Sequence, residues 1–340
     1  MKTIRLAMTG ARGHHGLVLR ELVHLPEVEL VAAATGGDSV EPIVQACREQ
    51  GRPAPSVFDD HAEMLDVVRP DAVVVCGPFE RHADMCVAAL NRGVHVYTEK
   101  PAALTAESLR QLRRAATDRP DLQLVGMMQG RYAPGFYQAW RRIRAGAVGQ
   151  VRLIDARKSY KLGTRPPYYH DRATYGGTIP WVGSHAIDWV MWLAGDSVDF
   201  RRVTARHHDD PTAGVGSMER LAACLFELSD RCLATVSLDV YRPAQAPSHG
   251  DDWVRVVGTT GVIEARPNDL RWIDPAGPGH DPAPTCDRAP FTDFISAVAR
   301  QRPALITARD TLRLTEACLL ARQSADEQRT IEFPPENEAA

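Results

Sequence analysis

The chain opens with Ile4-Arg5-Leu6-Ala7-Met8-Thr9-Gly10-Ala11-Arg12-Gly13-His14-His15-Gly16, and this stretch decides the fold. Ile4 to Thr9 is a short apolar run cut off by Gly10, and Leu17, Leu19, Leu22 and Val23 follow at helical spacing. The segment therefore reads as strand, tight turn and helix. Glycines at such a turn let backbone N–H groups at a helix N-terminus face a pyrophosphate. The spacing is G-x-x-G-x-x-G, with Ala11 standing at the first glycine of the commoner G-x-G-x-x-G pattern. With a strand before it and a helix after it, the turn is expected to bind a dinucleotide through Gly10, Ala11, Arg12, Gly13, His14 and His15.

Downstream the alternation continues. Residues 28–34, 72–76, 94–98 and 122–128 read as apolar strands, with helices at 42–49, 59–68, 81–91 and 108–117. Strands that are apolar throughout require a parallel sheet covered on both faces, because each is buried from two sides. Past about Gln129 the texture changes to strands at 151–159, 201–206, 220–227, 232–240, 254–258 and 261–264. Helices lie at 134–145 and 187–193 near the start of this part and at 291–300 and 307–327 near its end. The expected fold class is α/β, with a doubly wound parallel sheet over 1–128 and an α+β domain with an open, largely antiparallel sheet over 129–333. Residues 268–290, rich in Pro, Gly and Asp, read as surface loop, and 334–340 as a disordered tail.

Composition narrows the class of function. Forty Lys and Arg against 43 Asp and Glu leave a formal charge of −3 over 340 residues, with no long block of one sign, so no nucleic-acid partner is expected. Apolar runs such as 30–34 are far below the roughly 20 residues that span a bilayer, so no membrane partner is expected either. The N-terminus has no apolar h-region, and a cytoplasmic location is expected. The seven cysteines, odd in number, lack a C-x-x-C and read as reduced core thiols rather than a disulfide framework or zinc site. His185 and Asp188 could share a helix face, but no third ligand has matching spacing, so no metal is expected.

An acidic residue about 20 positions beyond the glycine loop normally accepts the ribose 2′-hydroxyl bond. That place is Ala33-Ala34-Thr35, and the first carboxylate after it is Asp38. Ala34 and Thr35 are expected to line the site, and with Arg12 the only cation in the glycine loop, both NAD and NADP are admitted as cofactor.

Glu99-Lys100-Pro101 follows directly on a strand, at the carboxyl edge of the sheet where open α/β folds bind ligands. Cys76-Gly77-Pro78, His82, Gly93-Val94-His95-Val96, Arg131-Tyr132, Gly176-Gly177 and Gly183-Ser184-His185-Ala186-Ile187-Asp188 accompany it. In this order and spacing, from about Ile4 to Phe333, the chain resembles the glucose-fructose oxidoreductase and inositol dehydrogenase family, often written Gfo/Idh/MocA. The resemblance implies an N-terminal Rossmann domain, a C-terminal α+β domain, and NAD(P)-dependent redox chemistry at a sugar or polyol carbon. It implies that Lys100 and His185 act on the substrate hydroxyl, that Gly77 and Pro78 line the nicotinamide, and that Glu99 holds that loop. His82 and Lys100 complete the implied cofactor set. One departure matters chemically. The family pattern has Asp four residues before the histidine, and this chain has Trp181, which offers a flat apolar face and one N–H donor.

Oxidising a secondary alcohol removes the hydroxyl proton as hydride leaves the carbon; a lysine of lowered pKa can take it and a histidine can relay it. Residues 158–172 are dense in cations and phenols, suited to a pocket wall that stacks on a sugar ring and pairs with a carboxylate or phosphate. Expected substrate contacts are Tyr160, Arg165, Tyr169, His170, Trp181 and His185, with Lys158 beside them. The expected activity is hydride transfer between a nicotinamide cofactor and a secondary alcohol or ketone of a sugar, polyol or sugar derivative, in the cleft between the domains. Two other readings stay open: an epimerase or glycoside-cleaving enzyme that oxidises its substrate transiently with NAD, and a catalytically inactive cofactor-binding sensor. An exposed face on the second sheet would suit a homodimer or homotetramer.

Overall fold

The computed structural model describes residues 3–209 and 216–334, so residues 335–340 of the expected tail lie outside the described residues. The chain divides into two compact units, one built from residues up to Met127 together with Arg288–Thr315, the other from Met128–Asp287 together with the chain from Glu316.

The first unit alternates β1 (Ile4–Thr9), α1 (His15–Leu22), β2 (Val28–Ala34), α2 (Glu41–Glu49), β3 (Ser56–Phe58), α3 (His61–Val68), β4 (Ala72–Val75), α4 (His82–Asn91), β5 (His95–Thr98), α5 (Ala106–Asp118) and β6 (Leu124–Gly126). The strands pair in parallel in the order β3-β2-β1-β4-β5-β6, the expected doubly wound sheet. β4 is Ala-Val-Val-Val with every residue buried, which is why it reads as a continuous apolar run. The helices start where side chains can satisfy their first amides: Asp60 accepts from Glu63 N at 2.8 Å, and Thr105 and Ser108 form a reciprocal capping box. Strand order reverses between β1 and β4, where Thr9 pairs with Val75, so Gly10 and Gly77 leave the sheet side by side. A crevice at such a reversal is where this architecture binds ligands.

The second unit contains α6 (Pro134–Arg144), β7 (Val151–Ser159), α7 (Arg172–Tyr175), α8 (Ser184–Ala194), β8 (Phe200–Asp209), β9 (Glu219–Leu228), β10 (Leu233–Asp239), β11 (Trp253–Gly258), β12 (Val262–Arg266), β13 (Asp269–Asp274) and β14 (Gly277–Asp281). Its nine-stranded sheet runs β14-β13-β12-β11-β7-β10-β9-β8-β15, where β15 is Ile331–Glu332; only the central β7–β10 pair is parallel. Burial alternates along β9 and β10, so one face of the sheet is packed, with α8 against β7 and β10, and the other is open.

Two expectations are corrected. Residues 268–290 are not simply loop, because β13 and β14 form a hairpin there. Leu270 is buried, the Arg142 guanidinium lies 3.4 Å from the centroid of the Trp272 ring, and Gly279 faces that indole where a Cβ would collide. Gly277 and Pro278 are tolerated because β14 is an edge strand. The second domain is also not continuous over 129–333. Helix α9 (Pro290–Val298) returns to the first unit, as does the start of α10 (Ala308–Glu327). Phe294 stacks on Tyr97 of β5 with ring centroids 5.1 Å apart, and Thr292 donates to the Glu21 carboxylate through N at 2.8 Å and Oγ1 at 3.0 Å. A sequence-distant amphipathic helix has found the open flank of an apolar strand. No helix among the described residues is long and apolar enough to cross a membrane.

Phe294→Ala leaves a hole against Tyr97 and is expected to cost about 3–5 kcal/mol of stability. Thermal unfolding together with hydrogen exchange of the β5 amides measures it. A loss below about 1 kcal/mol would show that α9 is dispensable to the first unit.

Candidate active site

The turn after β1 is held by backbone geometry that only glycine satisfies. Gly10 has φ +69°, and a Cβ there would sit 2.5 Å from Gly77 Cα and 2.6 Å from Cys76 O. Arg12 N donates to Cys76 O at 2.8 Å, tying this turn to the one after β4. At Gly13, φ +60°, the space a Cβ would take is filled by the Glu99 carboxylate. Glu99 is 1 % exposed; its Oε2 accepts from His14 N at 2.6 Å and lies 2.7 Å from His14 Nδ1, while its Oε1 accepts from Lys100 N at 2.9 Å. Burial by itself would raise this carboxyl, but His14, through charge and hydrogen bonds, and Lys100 outweigh it and bring Glu99 down to about 2. Lys100 is 5 % exposed at the end of β5, and its bond to Pro101 is cis.

His82 is expected at the cofactor; in the structure both of its ring nitrogens are engaged by the protein. The ring is fully buried, with Nδ1 2.9 Å from Pro101 O and Nε2 3.0 Å from Gly77 O. It is a strut between the Gly77-Pro78 turn and the Glu99-Lys100-Pro101 turn, with no free nitrogen to offer a ligand. Burial lowers its pKa against the opposing pull of the two carbonyls and Glu99.

The N-terminus of α1 fits a dinucleotide. The helix has no side-chain cap and no acid in its first turn, so its first amides have no partner within the helix. His15 is partly buried there, and burial lowers its pKa. The amides of Arg12 and His14 are already committed to Cys76 O and Glu99, which removes them as phosphate donors. At the far end, Ala34 O accepts from Gly10 N at 2.9 Å and Thr35 Oγ1 donates to Asp59 O at 2.9 Å. Arg12 pairs with Asp38 through one hydrogen bond, Nη2 to Oδ1 at 3.0 Å, and a close ionic contact, Nε to Oδ2 at 2.7 Å. These two ionic groups therefore belong to one pair.

In the second unit, Arg131 and Asp188, 2 % and 1 % exposed, form a multidentate ion pair with Nη2 to Oδ1 at 2.6 Å. His185 is 7 % exposed on the first turn of α8, four residues after Trp181 in the wide turn Ile179–Gly183. Trp181 is buried against Tyr169 at 4.4 Å and lies edge-on to Tyr160 and Tyr175, each at 5.9 Å. The Arg165 guanidinium lies over three of these rings, 5.1 Å from Trp181, 5.5 Å from Tyr160 and 5.8 Å from Tyr169. The structure thus brings together Tyr160, Arg165, Tyr169 and Trp181. His170 is engaged through its backbone, Ser217 N donating to its carbonyl at 3.0 Å. Among the described residues no group of three or more His, Cys, Asp or Glu is placed to hold a metal.

Residues 4–127 match the family described as an oxidoreductase family with an NAD-binding Rossmann fold, and residues 136–264 match the GFO/IDH/MocA C-terminal domain. The chain belongs to the GFO/IDH/MocA oxidoreductases. A solved oxidoreductase structure from Thermotoga maritima is 34 % identical, with a TM-score of 0.91 over 97 % of this chain and 100 % of that one. The rhizopine catabolism protein MocA of Rhizobium meliloti is 28 % identical over 78 % of this chain and 79 % of its own. An inositol 2-dehydrogenase of Paracoccus denitrificans is 27 % identical over 85 % of this chain and 86 % of its own. This GFO/IDH/MocA protein is an oxidoreductase whose first domain is an NAD-binding Rossmann domain.

Sequence reasoning missed Asp252 and His249, and it did not foresee the pairing of Asp38 with Arg12. Lys158 Nζ is bonded to Asp252 Oδ2 at 2.6 Å, His249 stacks on Tyr160 at 5.3 Å, and Asp38 closes on Arg12. Asp252 and His249 come from the loop before β11, more than eighty residues after Tyr160, with no motif to mark them.

Glu99 also sets a pH dependence. Its carboxyl falls from an ordinary 4.5 to about 2 in the fold, so the stability it contributes is present above pH 4.5 and lost as pH falls toward 2. Glu99→Gln should flatten this part of the profile and lower stability at pH 7 by about 3 kcal/mol. Melting curves of both proteins from pH 7 to 2 test this; parallel curves would show that Glu99 shares its charge freely with solvent.

Proposed function

We propose that this protein is a dehydrogenase that exchanges hydride between NAD or NADP and a secondary hydroxyl of a sugar, polyol or sugar derivative. The observation that carries the reading is Lys100, an amine side chain kept 5 % exposed at the carboxyl end of β5, on the residue whose amide Glu99 holds together with the glycine loop. MocA of R. meliloti and the inositol 2-dehydrogenase of P. denitrificans support the substrate class by their names. When bound, the nicotinamide supplies the hydride acceptor. Gly77 and Pro78 would line its ring, and His82, bonded to the Gly77 and Pro101 carbonyls, keeps that turn in register with the one that carries Lys100. Lys100 Nζ, as the neutral amine, takes the hydroxyl proton as hydride leaves the carbon. The protein works in the cytoplasm as a homo-oligomer; Leu221 and Leu225 of β9 and Leu233 of β10, exposed on the open face of the second sheet, suit an interface between copies.

Lys100→Met keeps the side-chain volume and removes the proton acceptor. Stopped-flow measurement of reduced nicotinamide at saturating substrate should show turnover lower by about 10²–10⁴-fold, with cofactor affinity within about threefold. A loss below tenfold would pass the proton role to His185.

The cofactor choice rests on the Arg12–Asp38 pair. With no acid at Ala34 or Thr35 and Asp38 held by Arg12, a 2′-phosphate meets a guanidinium rather than a bare carboxylate. NADP should therefore bind within about tenfold of NAD, and Arg12→Ser should weaken NADP by about 10–100-fold while leaving NAD within about threefold. Fluorescence titration measures both, and a thousandfold preference of the unaltered protein for NAD would put Asp38 on the ribose instead.

A further inference from the structure

We propose that the substrate is an anionic sugar whose carboxylate or phosphate is bound by Arg165 over the rings of Tyr160, Tyr169 and Trp181. The ligand's being a sugar rests on the dehydrogenase reading above; its being anionic rests on the charges here.

Arg165 is half-buried, its Nε is buried without a hydrogen-bond partner, and no carboxylate of the described residues pairs with it. Arg142, over Trp272, and Arg152, bonded to the Asp230 carbonyl and Gln150, also have no carboxylate partner among the described residues, but several other buried or half-buried arginines of this unit do. Arg131 is paired with Asp188, Arg157 with Asp251, and Arg172 with Glu219 and Asp326. Desolvating a guanidinium beside aromatic rings is costly, and a cation–π contact at 5 to 6 Å offsets only part of it. An oxyanion that accepts from the fork completes the shell.

The surroundings are rich in basic side chains. Lys158 is paired with Asp252 at 2.6 Å, but Lys161 points Nζ at the carbonyls of Ala244 and Ala246, at 2.8 and 2.6 Å, with no carboxylate of the described residues beside it. His249, stacked on Tyr160, is held toward its neutral form by burial and then by Arg165, Lys158 and Lys161. The acid paired with Lys158 also has capacity to spare: Asp252 Oδ1 is buried and accepts no bond. A ring hydroxyl donating to Asp252 Oδ1, an apolar ring face on the aromatic wall and an oxyanion on Arg165 would use each unfilled group once. Trp181, where the family pattern has an aspartate, removes the negative charge that would otherwise compete for Arg165.

The test uses the full-length protein with D-glucuronate, D-glucose 6-phosphate and D-glucose as probes. Binding is read by calorimetry, and oxidation separately by absorbance of reduced nicotinamide. At least one anionic sugar should bind tenfold or more tighter than glucose, and the tighter anion identifies carboxylate or phosphate as the partner. Arg165→Gln should abolish the preference, raising KM for the anionic sugar tenfold or more with kcat within threefold, and Arg165→Lys should restore part of it. Equal binding of glucose and both anions, no binding of any, or a preference that survives Arg165→Gln overturns the proposal. The comparison among probes on the unaltered protein decides the matter even where Arg165→Gln fails to fold. Selective binding without reduced nicotinamide would leave the anion site standing and remove the dehydrogenase reading.

Discussion

A carboxylate with 1 % of its surface exposed keeps its charge only if the protein replaces the water it has lost, and Glu99 is surrounded accordingly by the amide and ring of His14 and the amide of Lys100. Its position imposes conditions on its neighbours. Gly13 cannot carry a Cβ because the carboxylate fills that space, and the turn after β1 cannot move without breaking bonds to the turn after β5. His82 adds a second tie, from Gly77 to Pro101, and Arg12 N a third, to Cys76 O. The loops at the carboxyl edge of β1, β4 and β5 therefore form one network. The Lys100 backbone is fixed within this network through the bond from its amide to Glu99.

The second unit solves a related problem with an ion pair. Arg131 and Asp188 lie almost wholly out of water, and three bonds of 2.6 to 3.0 Å satisfy both groups. Such a pair gains little net stability but strongly penalises any arrangement that separates its members. It joins the turn before α6 to the helix that carries His185, so the orientation of α8 is specified by charge as well as by its apolar packing on β7 and β10. Arg165, unlike Arg131, lies over three rings with no carboxylate partner among the described residues.

Much of this was legible in the chain itself. Strand, turn and helix at the N-terminus follow from Gly10 and the apolar spacing after it, and Ala72–Val75 follows from a run of β-branched residues. The hairpin of β13 and β14 was not legible, because Gly277, Pro278 and Gly279 are turn formers by local preference and become a strand only when an edge is available and Trp272 needs cover. The return of α9 to the first unit was hidden for a similar reason: Phe291 and Phe294 mark an apolar face without naming what it covers.

The residue types and their spacing determined by themselves the alternation of strands and helices, the glycine turn and the lysine at a strand end, since each depends on short-range sterics and periodicity. Only the tertiary structure decided that His82 spans the Pro101 and Gly77 carbonyls, that Arg12 is paired with Asp38, and that Asp252 and His249 stand beside Tyr160. These are matters of which charge or ring lies within a few ångströms of which other. Coulomb and hydrogen-bond energies depend on distance through space, and a linear order of residues does not contain it.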